Sequence, residues 1–371
     1  MRVLVITPWF PTKLAPGSGI FNLRDVEMLA QDHEVTVLHL HDPALPGGPE
    51  NWRTDSGIPV HRGIFSSARP DTWLAAVRVI RKYAADAEIV HTMAFPALFP
   101  VMLSRSSRAW VHTEHWSGLT SVPSAVSARV GGAALRPVLR LPNEVVAVGE
   151  ALAQSVNRYR RKPATVIGNS VRLADAGVLP DAPSIRGGTP LRLIGVGHLI
   201  PEKGPLEAVE AVAAIRRLGI EVSLRWAGNG PLAASMLERS AELGVEENVE
   251  LLGHVSPERL STELSSSHVF VLPTEGETFG VAIAEALGHG LPVVTSGTGG
   301  HLDFLLPEVS RVVRNRSGQD IADAVIDLVN DSHRLDAARI ASFARNEFSE
   351  ERRRAAYREV YEDAVNSTQK R

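Results

Sequence analysis

One pattern restricts the fold of this chain more than any other. Short runs rich in β-branched residues alternate with stretches of helical period, and the whole series occurs twice. In the first half the runs are RVLVIT (2–7), EVTVLHL (34–40), EIVHT (88–92), AWVHT (109–113), EVVAV (144–148) and ATVI (164–167), with helical stretches such as 21–31 and 72–85 between them. Apolar runs of this length, bounded by turn residues, suit strands buried on both faces of a parallel sheet. Strands alternating with helices predict an open α/β sheet. The period then lapses over 172–190, a stretch rich in Pro, Gly, Asp and Ala that reads as a linker. It restarts with strands at 191–197, 222–228, 249–253, 269–273, 292–296 and 310–313. Helices are predicted at 205–218, 231–243, 257–266, 280–289, 318–330 and 332–347, and the charged segment 349–365 closes the chain.

The expected fold class is therefore α/β, with two doubly wound, Rossmann-like domains in tandem. The first covers 1–171 and the second 191–349, with a C-terminal helix over about 350–371 packing back on the first domain. A chain of 371 residues is long enough for two such domains. Two sheets of this kind would make a cleft between them, and ligands of open α/β sheets bind beyond the carboxyl ends of the strands.

Composition removes several functions. The formal net charge is −3, so no global basic field draws the chain to nucleic acid. There is no cysteine, which excludes a disulfide frame, thiolate zinc sites and a cysteine nucleophile. The opening MRVLVITPWF reads as a strand rather than a signal segment, because its apolar run is short and Pro8 and Pro11 break it. No run reaches the ~18 apolar residues of a membrane span. A cytoplasmic location is expected.

The chemistry gathers just after predicted strands. PTEGETFGVAIAEALGHGLPVVTS (273–296) places Glu277 before a helix expected to begin near Phe279, and Glu285 on its second turn. The backbone N–H groups of Phe279, Gly280 and Val281, next to Thr278, would form a seat for an anion such as phosphate. A metal site fits poorly, since Mg²⁺ and Ca²⁺ need several oxygens converging on one point and these two acids point apart. Neither a metal nor another cofactor is expected. The ordinary alternative is a dipole-stabilising Glu277 and a solvated Glu285. Context favours a ligand. GVGHLIPEKG (195–204) brings Gly197 and His198 to a strand end and sets Lys203 just before a helix, where a lysine suits phosphate as a point charge. WAGNGP (226–231) adds Gly228 and Asn229, and TSGTGG (295–300) is a fourth glycine-rich turn. Each turn alone is weak. Together they predict a backbone-lined, phosphate-tolerant floor.

The order Gly195-x-Gly197, Lys203-Gly204, Gly228-x-Gly230-Pro231, Glu277-x₇-Glu285, Gly290-x-Pro292 and Gly299-Gly300 resembles that of the retaining GT-B glycosyltransferases of family 4. The likeness runs over nearly the whole chain, and the second half carries its specific motifs. It implies an enzyme that moves a hexose-like sugar from a nucleoside-diphosphate sugar, UDP first and GDP next, to an acceptor hydroxyl with retention and without a metal. It also implies roles. Glu285 would grip the ribose, Glu277 the hydroxyls of the donor sugar, and Lys203 with the helix start the diphosphate. His198 stands where the family often has an arginine. Physically the assignment is coherent, because acceptor-only carboxylates suit polyol hydroxyls. Domain closure would exclude water.

On the first domain, PTKLAPGSGIFNLRD (11–25) offers Gly17 and Gly19 for close approach to the donor, and Arg24 as an added cation. VHTEHWSGL (111–119) offers His112, Glu114, His115 and Trp116. The family implies one histidine here at the donor sugar. His112 is still in the strand and His115 in the loop, which favours His115 for reach, and both remain candidates. Glu114 and Trp116 are placed on the acceptor side. Asn169 and Ser170 read as a structural turn. Basic amphipathic stretches at 127–142 and 77–83 could touch an anionic membrane if the acceptor is a lipid, although solvated arginines on a packed surface explain them as well. The acceptor, a small molecule, glycan or lipid, is not legible. Two other readings are a sugar-nucleotide epimerase of the same architecture and a non-catalytic nucleotide-sugar-binding protein. A nicotinamide dehydrogenase is disfavoured, because no Gly-x-Gly-x-x-Gly follows the first strand of either half.

Overall fold

The computed structural model describes residues 1–12, 15, 17–45, 51–119, 136–173, 179 and 190–370. Contacts group the chain into two units, Met1–Ser170 with Glu350–Arg371, and Val171–Ser349.

The first unit is built on an eight-stranded sheet. Its strands are β1 (Arg2–Thr7), β2 (Glu34–His41), β3 (Trp52–Arg53), β4 (Pro59–Ile64), β5 (Ile89–Met93), β6 (Ala109–Glu114), β7 (Glu144–Ala147) and β8 (Thr165–Val166). Their order is β3-β4-β2-β1-β5-β6-β7-β8, and every pair is parallel except β3 with β4. Side-chain alternation sorts the central strands into two cores. Val3, Val5, Val35 and Val37 enter one, and Leu4, Ile6, Leu38 and Leu40 the other. That is why these strands read as unbroken apolar runs: both faces are covered. Burying each such side chain contributes roughly 1.5–3 kcal/mol.

Among the described residues, four helices of this unit lie between strands: α1 (Ile20–Leu29), α2 (Trp73–Ala84), α3 (Leu98–Ser104) and α4 (Glu150–Asn157). Val26, Met28 and Leu29 of α1 share the first core, while Ala76 and Ile80 of α2 and Val101 of α3 fill the second.

The second unit has six parallel strands in the order β11-β10-β9-β12-β14-β16. These are β9 (Leu191–Val196), β10 (Val222–Ala227), β11 (Val249–Gly253), β12 (Val269–Leu272), β14 (Val293–Ser296) and β16 (Ser310–Val313). A separate two-residue ladder joins β13 (Gly276–Glu277) to β15 (Thr298–Gly299). Its helices are α5 (Pro205–Arg217), α6 (Ala233–Glu242), α7 (Pro257–Ser265), α8 (Val281–Gly288), α9 (Gly318–Asn330) and α10 (Ala337–Glu347). The last helix, α11 (Glu350–Gln369), belongs to the first unit, where Tyr357, Val360, Tyr361 and Ala364 complete its first core.

Several elements depart from expectation. β3 and β4 were not predicted, because β4 reads PVHRGI and its half-buried position near the sheet edge admits polar residues. Its proline is the first residue of the strand, where a missing N–H is tolerated. The short α3 carries Pro100 in its first turn, where no intrahelical donor is lost, so the proline conceals the helix rather than breaking it. The helix expected from 332 starts at Ala337, because Asp336 caps it by accepting from the Arg339 N–H at 2.9 Å. Most of the expected linker and of the basic stretch 127–142 lies outside the described residues. Its described end, Arg136–Arg140, is a 3-10 turn. Among the described residues no helix is long and apolar enough to cross a membrane.

The packing of α11 carries a pH consequence. His91 on β5 is fully buried, with Nδ1 sharing a hydrogen bond of 2.8 Å with the Tyr361 hydroxyl and Nε2 one of 2.7 Å with Thr113 Oγ1. Burial, helped by the nearby His112 and His115, pushes its pKa from 6.5 down to about 3. The unfolded chain therefore takes up a proton near pH 6.5 that the folded chain refuses until about pH 3, so stability is complete above the first value and falls between the two. Urea unfolding at stepped pH is expected to show stability falling on acidification below pH 6.5, with His91→Gln losing about 1 kcal/mol per pH unit of that slope. An identical slope in the variant would contradict this account.

Candidate active site

The second unit gathers its polar groups at the carboxyl ends of β9, β10, β12 and β14. After β9 the chain turns at Gly197 and His198 and enters a 3-10 turn, Pro201–Lys203, that leads into α5. After β12 it runs through Pro273–Glu275 into the β13 ladder and then into α8. These two loops bring Lys203 and Glu277 together, with Nζ donating to Oε1 at 2.5 Å. Their side chains are 23% and 15% exposed, so the pair is shielded from bulk water yet still accessible. The β12 and β9 loops are also joined through backbone. Glu275 N–H donates to the Glu202 carbonyl at 2.8 Å, and Thr274 Oγ1 donates to the same oxygen at 3.1 Å. A side chain at Gly204 would strike the Pro273 carbonyl, so the turn carrying Lys203 rests directly on the strand that leads to Glu277.

The start of α8 differs from the expected one. The helix begins at Val281, and Gly280 occupies the N-cap with φ 90°, without a side-chain cap. The first-turn N–H groups are thus those of Val281, Ala282 and Ile283, and Phe279 lies before the helix. Its ring is buried 5.3 Å from Phe304 and 6.0 Å from Phe348, so it anchors the helix start rather than lining an open site. Thr278 and Val281 are half-buried beside it. Glu285 is almost wholly buried on the second turn and engaged within the fold, so the solvated alternative does not describe it.

The glycine-rich turns serve chiefly to let strand ends pack. The Gly197 carbonyl accepts from the buried Trp226 indole at 2.9 Å, and a side chain at Gly228 would collide with that same carbonyl. The exposed Asn229 accepts through its carbonyl from the Leu199 N–H at 3.0 Å, and the exposed His198 places Nδ1 3.4 Å from the same oxygen.

One residue of this floor escaped sequence reading. His301 is fully buried beneath Gly280. Its Nε2–H donates to the Ser296 carbonyl at 3.1 Å, which leaves Nδ1 without a hydrogen-bond partner. Burial lowers its pKa and the Glu277 carboxylate opposes that shift, so it lies within electrostatic reach of the ion pair. Only its place after a glycine-rich turn could have signalled it.

In the first unit the expected site residues meet but face inward. His112 is fully buried, with Nδ1 2.9 Å from Thr92 Oγ1 and Nε2 3.2 Å from Glu114 Oε2. Glu114 is also fully buried, and its Oε1 accepts from the N–H groups of His115 and Trp116 at 2.9 and 2.8 Å. It shapes the loop and offers no surface to an acceptor. The reach argument for His115 fails for a similar reason. Its ring folds back onto Phe21 at 4.8 Å, with Nδ1 3.0 Å from Asn169 Oδ1 and Nε2 4.0 Å from Asp25 Oδ2. Desolvation lowers its pKa against the pull of Asp25 and Glu114. Trp116 is the residue this strand end presents, 38% exposed and stacked on Phe95 at 5.6 Å. Gly19 is the N-cap of α1, where a side chain would strike the backbone of Trp9, whereas a Cβ added at Gly17 would meet nothing within 4 Å among the described residues. Arg24 is half-buried on α1 and engaged with the fold.

Comparison with known proteins identifies the class of the chain. The family described as "Glycosyltransferase Family 4" matches residues 19–175, and "Glycosyl transferases group 1" matches 182–347. The chain belongs to this family of glycosyltransferases. It is 23% identical over 198 residues to the uncharacterized glycosyltransferase YqgM of Bacillus subtilis, covering 53% of this chain and 54% of that one. It is 29% identical over 157 residues to the GDP-mannose-dependent alpha-(1-6)-phosphatidylinositol monomannoside mannosyltransferase of Mycolicibacterium smegmatis, covering 40% and 41%. The matched stretches thus span about half the length of the first relative and less than half of the second. The structure of HepE from Anabaena in complex with UDP and glucose superposes with a TM-score of 0.75 at 16% identity, over 97% of this chain and 98% of that one. The fold is GT-B.

The Gly280 position supplies a direct check on the local geometry. A methyl group there would meet His301 Cβ at 2.7 Å and would sit at a φ of 90°. Gly280→Ala is expected to cost about 1–3 kcal/mol in denaturant unfolding. A loss below about 0.5 kcal/mol, the range of ordinary surface changes, would contradict the described helix start.

Proposed function

We propose that this chain transfers a hexose-like sugar from a nucleoside-diphosphate sugar to an acceptor hydroxyl, with retention at the anomeric carbon and without a metal. The observation that carries the reading is the Lys203–Glu277 pair beside the uncapped start of α8. A diphosphate needs positive charge and N–H donors; Lys203 and the first turn of α8 supply them side by side. The hydroxyls of a sugar need acceptors, which the Glu277 carboxylate supplies. Glu285, four residues into the same helix, serves the ribose.

In the reaction, the bond between the anomeric carbon and the diphosphate oxygen breaks, and its electron pair leaves with the diphosphate. The acceptor oxygen bonds to that carbon, and its proton passes to the departing phosphate. Lys203 and the helix donors are already oriented toward the charge that develops there, so no reorganisation is spent on it. Lys203 meets a phosphate without crossing a desolvation barrier of full size, because Glu277 already holds it out of bulk water.

The donor base follows from two different supports. HepE was solved with UDP and glucose, and the mannosyltransferase of M. smegmatis is named GDP-mannose-dependent. UDP-sugars come first and GDP-sugars second. Trp116 on the first unit is assigned to the acceptor, and the relative named for a phosphatidylinositol mannoside puts a lipid-linked acceptor among those to test.

Thermal-shift measurement against UDP-, GDP-, ADP- and dTDP-sugars is expected to single out one nucleotide series, since a bound ligand raises stability by mass action. Lys203→Ala and Glu277→Ala are each expected to cut turnover about a hundredfold or more while the chain still folds. Near-normal transfer by both variants would overturn the assignment.

A further inference from the structure

We propose that Arg316 is a positioning residue for the donor site, holding the Lys203 turn and the Glu277 loop at one fixed spacing. The inference rests on the reading of Lys203 and Glu277 as donor-binding groups. Arg316 precedes α9 and lies in neither of those loops. Its Nε donates to the Pro273 carbonyl at 2.7 Å, and Nη2 donates to the Pro201 carbonyl at 2.6 Å. Pro273 directly follows β12 on the way to Glu277, and Pro201 opens the 3-10 turn that ends at Lys203. One planar group therefore spans the two backbones whose side chains make the ion pair.

The carboxylates hold this group in its plane. Nη1 donates to Glu275 Oε1 at 2.8 Å, and Nη2 lies 3.1 Å from Glu207 Oε1 at the start of α5. The backbone beside Arg316 is itself anchored, because Ser317 caps α9 by accepting from the Asp320 N–H at 3.1 Å. The side chain is 20% exposed, so its hydrogen bonds are partly withdrawn from water. Lysine carries the same charge but has a single nitrogen, and it cannot reach carbonyls on opposite sides at once. A role in charge balance alone would accept that change. A role in spacing would not.

The consequence is specific. Without the guanidinium, the Glu275 and Thr274 bonds to the Glu202 carbonyl still tie the loops together, so the fold persists. Lys203 and Glu277 then lose the fixed separation that matches a diphosphate next to a sugar. Arg316 acts through Lys203, so its loss and the loss of Lys203 fall on the same interaction and are not additive.

The test compares full-length wild type, Arg316→Lys, Lys203→Ala and the double variant, using UDP and GDP as probes in isothermal titration calorimetry, with melting temperatures in parallel. Arg316→Lys is expected to weaken the preferred nucleotide roughly tenfold while melting within a few degrees of wild type, and to add little to Lys203→Ala. Wild-type affinity in Arg316→Lys, with Lys203→Ala weakened, would overturn the positioning role and leave the donor site standing. Wild-type affinity in Lys203→Ala would overturn the donor site and this inference with it. A lower melting temperature with unchanged affinity would show that Arg316 is only structural. Should Arg316→Lys fail to fold, Glu207→Gln with Glu275→Gln leaves the two carbonyl bonds in place. About threefold weaker binding is then expected, and unchanged binding would refute the proposal.

Discussion

The ion pair between Lys203 and Glu277 is the interaction on which the chemistry proposed for the second unit depends. It is partly buried, and pairs of that kind add little net stability once the desolvation of both charges is counted. An apolar pair of similar volume would hold the fold as well. What keeps these charges at the strand ends is therefore the backbone around them: the Glu202 carbonyl, which accepts from both Thr274 and Glu275, and the contact of Gly204 on Pro273. The loops are rigid enough to present a cation and an anion side by side, next to a helix start with no side-chain cap. Such a floor is polar, preorganised and short of internal uses for its own charge.

The first unit spends its polar groups differently. His112, Glu114, His115 and Asn169 bond to one another, and Asp25 joins the same buried cluster, where its Oδ2 and His115 Nε2 lie 4.0 Å apart, each without a hydrogen-bond partner. Arg353 of α11 donates to Asp25 Oδ1 at 2.8 Å and to the Gly168 carbonyl at 2.7 Å, so the C-terminal helix is wired into the ends of the first unit's strands. This network fixes the loop that carries Trp116. It holds the shape of this strand end, and the indole is what it offers outward.

How much of this was legible in the sequence depends on which physical signal each residue leaves. The two sheets were legible because strands covered on both faces must be apolar throughout, and RVLVIT and VFVLP are. β4 was not, because a half-covered strand accepts His61 and Arg62. The meeting of Lys203 and Glu277 was legible because both were placed just after strands of one parallel sheet, and those strands, β9 and β12, are neighbours. The inward turn of His115 was hidden, since one residue beyond a strand can point either way and only Phe21, Asn169 and Asp25, all distant in sequence, decide it. Arg316 and His301 were hidden for a related reason. Each acts through backbone carbonyls, and an arginine that binds carbonyls looks, in sequence, like any surface arginine.

The four glycine turns read as a phosphate-tolerant floor do follow strands of the second unit, and their glycines have a packing role there. Gly228 and Gly204 are there because strand ends pack backbone against backbone. On the proposed reading, room for a ligand at the ends of β9, β10 and β12 would be a by-product of that packing. The specific groups of the proposed site are few: Lys203, Glu277, Glu285 and the first turn of α8.

The most direct measurement is a crystal structure of the chain with its preferred nucleoside diphosphate bound. This account predicts phosphate oxygens within hydrogen-bond distance of Lys203 Nζ and of the Val281–Ile283 N–H groups, with the ribose against Glu285. A nucleotide seated elsewhere, with Lys203 still closed on Glu277, would contradict it.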